Sequence, residues 1–378
     1  LALDLGFGSI EIDTWLGKTP TPSSATKPTP RKRSLLNVRP LADLFQPSVY
    51  DDSYYFLPME RRWRKGDDVA ARGHVGETVE HDRRLSLFLP MERRGLVPEH
   101  IEHDAAVKEK QAEPTPDPAM TLLTGHKVKD LSDHTLAGLY LQPLLARLDK
   151  NNEGRRANES IVGLYPEDPD AEVQIVIDMV SGPIGFSTWF LGGQADGQKS
   201  DGDMIWPYLT SALKPFQDKG YLTTYDTTTG TWSRSALTIV GTGNTPLHRV
   251  YHSRTRMVFY DAPLMKLAKA ASIPATGAGP AATFEWDNTI APMASAKFPL
   301  LYHIALGLPP WNPVVQRLLR HTSEARERGI SSRWWGAARI PEWTRRRLWA
   351  VQKQGGATWT NADDLVDAGD WLSAWEAR

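Results

Sequence analysis

Glu11 and Asp13 stand two residues apart in the run Ser9-Ile10-Glu11-Ile12-Asp13, which alternates with the period of a β-strand. Side chains two apart on a strand share a face, so the two carboxylates point the same way. Crowded together on a buried face they repel unless a cation lies between them, and hard oxygen donors favour Mg2+ or Ca2+. Taken alone, the pair also reads as an exposed strand face. Asp178 closes the apolar, β-branched run Val173-Gln174-Ile175-Val176-Ile177 and offers a further oxygen ligand. A buried strand seldom ends in a charge that has no partner. His126 follows Gly125 at the end of another strand signal. Its side chain suits a general acid or base, although a single histidine is more often a packed or surface residue. Asp261 ends the strand that begins at Met257, and serves either a ligand or the cap of the next turn. Asn244 closes Gly241-Thr242-Gly243, which could turn backbone N–H groups toward an anion but lacks the full glycine pattern of a nucleotide loop. Trp335 and Asn361 end two further strand signals. Cysteine is absent, which excludes a thiol nucleophile, a disulfide framework and thiolate zinc sites. There is no Walker loop, nucleophile elbow or zinc-protease motif.

Strands centred on Ile10, Leu122, Val176, Ile239, Phe259, Trp334 and Trp359 are expected to carry these residues. Between them, apolar residues recur at helical spacing over 136–148, 205–219, 314–328, 342–354 and 362–375. Strands alternating with helices imply βα units around a parallel sheet. The candidate residues lie at strand C-termini, where a (β/α)8 barrel builds its active site. Seven strands are one short of such a barrel, so the sequence predicts either a barrel without its first strand or an open sheet. Trp334 and Trp335, being adjacent, must face opposite sides.

The chain has 378 residues, of which 40% are hydrophobic and 24% charged, enough to build a sizeable core. Its net charge of -1 provides no overall field for nucleic acid or anionic lipid. No stretch approaches the ~20 apolar residues of a membrane span. Residues 1–17 read as the start of the barrel, 18–118 as a long insertion rich in proline and charge and mostly disordered, and 119–378 as the remainder of the barrel. The insertion repeats Phe56-Leu57-Pro58-Met59-Glu60-Arg61-Arg62 as Phe88-Leu89-Pro90-Met91-Glu92-Arg93-Arg94. The two copies are read as duplicated low-complexity sequence, with a docking motif as the alternative. Because folded character begins at Leu1 without a Met, the chain is read as a fragment or processed form, and no compartment is assigned.

Several segments, in order, resemble the fungal altered-inheritance-of-mitochondria protein six family, within the phospholipase-C-like phosphodiesterase superfamily. They include Ser9-Ile-Glu-Ile-Asp-Thr-Trp15, Gly125-His126, Ile239-Val-Gly-Thr-Gly-Asn-Thr-Pro246, Phe259-Tyr-Asp-Ala-Pro263, Arg333-Trp-Trp335 and Thr360-Asn-Ala-Asp-Asp-Leu365. The resemblance implies a TIM-type (β/α)8 barrel that hydrolyses phosphodiesters with Mg2+ or Ca2+. It maps metal ligation to Glu11, Asp13 and Asp178 and acid/base catalysis to His126. It maps the substrate pocket to Trp335 and Asn361, with Asn244 and Asp261 taken beside them. The expected substrate is a small-molecule or lipid phosphodiester, and the protein is expected to be a monomer without nucleic-acid partners. Two departures stand out. The family's first-strand His-x-Asn motif does not occur in this chain, and a lysine usual two residues after the third metal ligand is Val180 here. The alternative expectation is a barrel that has lost catalysis and binds phosphate or a lipid headgroup.

Overall fold

The structure, a computed structural model, describes residues 9–18, 54–58, 116–125, 134–156, 159–180, 201–298, 311–336, 342–362 and 365–376. The chain divides into two units, Leu1–Arg61 with Thr115–Arg378, and Arg62–Pro114. Every described residue belongs to the first.

The strands are β1 (Ser9–Lys18), β2 (Tyr54–Pro58), β3 (Met120–Thr124), β4 (Val173–Met179), β5 (Thr224–Asp226), β6 (Thr231–Ser233), β7 (Leu237–Gly243), β8 (Thr255–Arg256), β9 (Val258–Pro263), β10 (Ala271–Ile273), β11 (Ala282–Phe284), β12 (Met293–Lys297), β13 (Ser331–Trp335) and β14 (Trp359–Ala362). The helices are α1 (Gln142–Asn151), α2 (Asp201–Asp218), α3 (Leu247–His252), α4 (Pro313–Glu327), α5 (Glu342–Gln354) and α6 (Leu365–Glu376). The expected helices over 136–148, 205–219, 314–328, 342–354 and 362–375 are all present, the first opening with a π-helical turn over Ala137–Leu141.

Nine strands form one curled sheet in the order β2-β14-β13-β12-β9-β7-β4-β1-β3, and β2 also pairs with β1. The run β1, β4, β7, β9, β12, β13, β14 is parallel throughout. The architecture is therefore mixed α/β with a curled sheet, and three features differ from the expectation. The strand at Leu122 is β3, which lies antiparallel to β1 and is not one of the parallel set. The parallel set instead includes β12, Met293-Ala294-Ser295-Ala296-Lys297, whose lack of β-branched residues hides it from propensity reasoning. Finally, β2 comes from the segment read as disordered, and it pairs antiparallel with both β1 and β14. The described strands are thus not the eight parallel strands of a (β/α)8 barrel.

Register sorts the side chains into two layers, because paired residues on neighbouring strands share a face. On one face, Ile10 and Ile12 align with Ile175 and Ile177, and Ile175 in turn with Ile239. They pack with Leu144, Leu148, Leu209, Leu213 and Phe216 of the helices in the larger core. Trp334 faces the same way on β13, fully buried in a second cluster with Leu318 and Leu348 of α4 and α5. The opposite face is the inside of the curl, where Val176, Val240, Met293 and Trp359 form a small apolar floor. Trp232 of β6 stacks on Phe259 at 5.2 Å. Asp13, Asp178 and Asn361 stand beyond this floor toward the strand C-termini, while Glu11, Asp261 and Arg333 lie level with it.

Candidate functional site

The inner face is polar because the alternation of β1 places Ser9, Glu11 and Asp13 on it, opposite the isoleucines. Asp13 pairs with Asp178, and Asp178 with Thr242, making one row across β1, β4 and β7. Glu11, Val176 and Val240 form the row beneath. Asp261 joins from β9 through its partner Met293, and Arg333 joins from β13 through its partners Ser295 and Trp359. Glu11 and Asp13 are buried, so the reading of them as an exposed strand face is overturned.

Arg333 occupies the centre of this face. Only 2% exposed, it donates from Nη1 to Glu11 Oε1 at 3.2 Å and from Nη2 to Glu11 Oε2 at 2.8 Å. Nη2 also donates to Asn361 Oδ1 at 2.9 Å. Such a two-pronged guanidinium–carboxylate pair fixes both groups in direction as well as distance. Asn361 is held from behind as well, since its main-chain carbonyl accepts from Trp349 Nε1 at 3.1 Å.

Asp178 lies where negative charge accumulates. Burial pushes its pKa well above the ordinary carboxylate range, Glu11 and Asp13 push it further, and Arg333 pulls it back. Asp261 is raised to about 7, chiefly by burial, against the opposing pull of Arg333 and the hydroxyls of Ser295 and Thr242. Its Oδ1 is sealed from solvent and makes no hydrogen bond of normal geometry.

The strand ends are laced together around these groups. Thr14 Oγ1 donates to the Asp178 carbonyl at 2.9 Å, and the Val180 N–H donates to the Thr14 carbonyl at 3.0 Å. Gly243 adopts φ +64, and a Cβ there would overlap Asp178 Oδ1, so the turn after β7 needs glycine to sit against that carboxylate. Asn244 clamps the same turn, its backbone N–H and its Nδ2 both donating to the Met179 carbonyl at 3.0 Å.

Glu11, Asp13, Asp178, Asp261 and Asn361 therefore share the inner face. Asn244 has its amide engaged by the backbone of β4. Trp335 shares the face of Arg333 but stands at its rim, 39% exposed, with Lys297 Nζ 5.7 Å from its ring centre. His126 lies outside the described residues. Gly125 before it donates to the Asp13 carbonyl at 3.4 Å and accepts from Trp15 Nε1 at 2.6 Å. Among the described residues, no group of three or more His, Cys, Asp or Glu is arranged to hold a metal ion. Sequence reasoning missed Arg333 as a site residue. Its signal was a charge inside Ser-Ser-Arg-Trp-Trp, the same anomaly that marked Asp178.

Residues 197–261, which include Asn244 and Asp261, match the AIM6-like phosphodiesterase domain. The chain resembles the altered inheritance of mitochondria protein 6 family. It is 28% identical over 260 residues to the family's homolog in Arthroderma benhamiae, covering 65% of this chain and 68% of that protein. It is 25% identical over 258 residues to the protein of Eremothecium gossypii, covering 65% and 58%. Against the Kluyveromyces lactis protein the identity is 28% over 256 residues, covering 61% and 57%. The chain thus spans somewhat over half the length of the latter two family members. No solved structure matches the chain. Among the described residues, no helix is long and apolar enough to cross a membrane.

Proposed function

We propose that the chain is a phosphoric diester hydrolase acting on glycerophosphodiester or (lyso)phospholipid-type substrates, with Mg2+ or Ca2+ held at Asp13 and Asp178. The supporting observation is the enclosed cluster of Glu11, Asp13, Asp178 and Asp261 at the C-terminal side of parallel strands, with one guanidinium, Arg333, among them. The match of residues 197–261 to the AIM6-like phosphodiesterase domain agrees with it.

Carboxylate oxygens are the donor type a hard divalent cation takes, although no three of the described side chains stand in a metal-holding group. The carboxylates of the cluster outnumber the positive charge beside them, and Asp261 Oδ1 is buried without a partner. The register neighbours Asp13 and Asp178 would hold the ion, beside Glu11, which Arg333 engages. When bound, the ion supplies charge neutralisation to the phosphate and to the crowded transition state.

The remaining work falls to the chain's own residues. The apolar floor of Val176, Val240, Met293 and Trp359 closes the site from below. Trp335 at the rim offers an aromatic wall to the leaving group. His126, directly after Gly125 and hence one residue from the bond to the Asp13 carbonyl, serves as the acid/base, moving a proton at the reacting oxygen.

The test is turnover of bis(4-nitrophenyl) phosphate with and without Mg2+, in the wild type, Asp178→Asn and His126→Ala. Mg2+-dependent turnover lost by more than ~100-fold in both variants is expected, the usual scale for a positioned acid/base. Absent turnover with retained binding of inorganic phosphate points instead to the phosphate-binding module, the reading that Val180 in place of a lysine favours.

A further inference from the structure

Among the described residues, six large apolar side chains are exposed: Leu139, Met204, Met265, Trp311, Trp335 and Trp343. Single exposed apolar residues are ordinary and scatter over a surface. These six do not scatter, because the course of the chain puts them all at the end where the parallel strands finish. Trp335 is the last residue of β13, and Met265 comes two residues after β9. Helices α4 and α5 hand over to β13 and β14 at the other end, where Ile330 N–H donates to the Ala325 carbonyl and Ala357 N–H to the Gln352 carbonyl. Their N-termini, with Trp311 and Trp343, therefore lie back at the strand C-termini. The C-terminus of α2 likewise meets the start of β7, where Leu237 N–H donates to the Tyr221 carbonyl at 3.0 Å. Its first turn, with Met204, is at the far end, where Asp203 accepts from Arg249 Nε of α3 at 2.6 Å. The C-terminus of α1 stands beside that of α2, since Asp149 accepts from Lys219 Nζ at 2.7 Å, which sends Leu139 to the same end as Met204.

Charge selects the occupant of this surface. Over the neighbouring strands β9, β12 and β13 the same end carries Lys266, Lys269 and Lys297, all exposed. Residues 264–270 and 311–320 contain no Asp or Glu. The net charge of -1 hides this patch by averaging over the whole chain. Tryptophan beside lysine is the composition of a membrane–water interface, where the indole settles at headgroup level and the ammonium meets lipid phosphate. A protein partner fits less well, because the interfaces between proteins favour tryptophan but are depleted in lysine. We propose that this end of the molecule docks on an anionic lipid surface, with Trp311 and Trp343, 78% and 67% exposed, inserted at headgroup depth and the three lysines against lipid phosphates. The attachment is peripheral, since no described helix is long and apolar enough to cross a membrane. Asp13, Asp178 and Asn361 lie toward this same end, so docking turns the candidate site to the lipid. The docking is a property of the surface and stands apart from the hydrolase reading.

The test is co-sedimentation of the full chain with vesicles of phosphatidylcholine alone and of phosphatidylcholine mixed with phosphatidylglycerol. The variants are Trp311→Ser with Trp343→Ser, and Lys266→Gln with Lys269→Gln. Lys150→Gln, in the last turn of α1 at the opposite end, is the charge control. All of these side chains are exposed, so the fold should survive each change, as thermal melts would verify. Docking predicts binding to the mixed vesicles that falls with added NaCl. It should weaken about fivefold for each lysine removed and at least about tenfold without the two tryptophans, and be unchanged in Lys150→Gln. Turnover of bis(4-nitrophenyl) phosphate, a soluble substrate, should be the same in the tryptophan variant as in wild type. No binding of wild type to the mixed vesicles, or equal binding by all variants, overturns the proposal and leaves the hydrolase reading untouched. Vesicle binding without turnover supports docking and counts against the hydrolase alone. A dimer in light scattering that the tryptophan variant abolishes, with no vesicle binding, assigns the surface to a second copy of the chain and overturns the proposal.

Discussion

Replacing Arg333 by Met keeps the bulk of the side chain and removes its charge. Glu11 then loses two charge-assisted hydrogen bonds and Asn361 loses one, in a place where neither group is more than 8% exposed. Removing one member of a buried ion pair costs about 3–5 kcal/mol, because the other charge is left enclosed and unpaired. The melting temperature should fall by roughly 6–20 °C, at about 2–4 °C per kcal/mol for a domain of this order of size. The companion variant, Glu11→Met with Arg333→Met, should recover most of the loss, since a pair replaced on both sides by apolar groups is often neutral. Urea denaturation followed by tryptophan fluorescence and by circular dichroism reads both effects. A cost below about 1 kcal/mol for Arg333→Met alone, the scale of an exposed pair, would refute the reasoning that Glu11 depends on this guanidinium.

Asp261, raised to about 7 from its ordinary 3.8, keeps its proton in the folded protein over a range where the unfolded chain has lost it. Folded protein then binds more protons than unfolded, so this group's contribution weakens as pH rises from about 4 to about 7. Asp261→Asn should flatten that slope and add up to about 4 kcal/mol at pH 8, at 1.36 kcal/mol per pH unit, checked by urea denaturation across pH 4 to 8. An unchanged slope contradicts the assignment. Gly243→Ala should destabilise by at least ~1–2 kcal/mol, since the residue combines φ +64 with contact to Asp178; a neutral result in thermal melts would show that the turn can move away from the carboxylate.

Much of the site was legible because its signals are local. The alternation Ser9-Glu11-Asp13 and the charge ending the run at Ile177 follow from strand period and burial alone. The segments now in β1, β4, β7, β9, β13 and β14 announced themselves by β-branched and aromatic runs. What stayed hidden depends on partners far away in sequence. Nothing near Leu122 tells that β3 folds back antiparallel on β1, since its partner residues lie more than a hundred positions earlier. The small residues of β12 carry no strand signal of their own, being held by β9 and β13 on either side. The five residues of β2 lie in a stretch whose composition argues for disorder, and only the open edges of β1 and β14 give them a place. Arg333 belongs to the same class, as its meaning comes from Glu11 across the inner face.

An anomalous diffraction experiment on crystals soaked in Mn2+ tests the central claim most directly, because it locates the ion without relying on turnover. The expected result is a peak coordinated by carboxylate oxygens of both Asp13 and Asp178, at the roughly 2.0–2.2 Å of a hard octahedral ion, and its absence in Asp178→Asn crystals. A wild-type map with no peak on the inner face, or with Mn2+ bound only elsewhere, would contradict it.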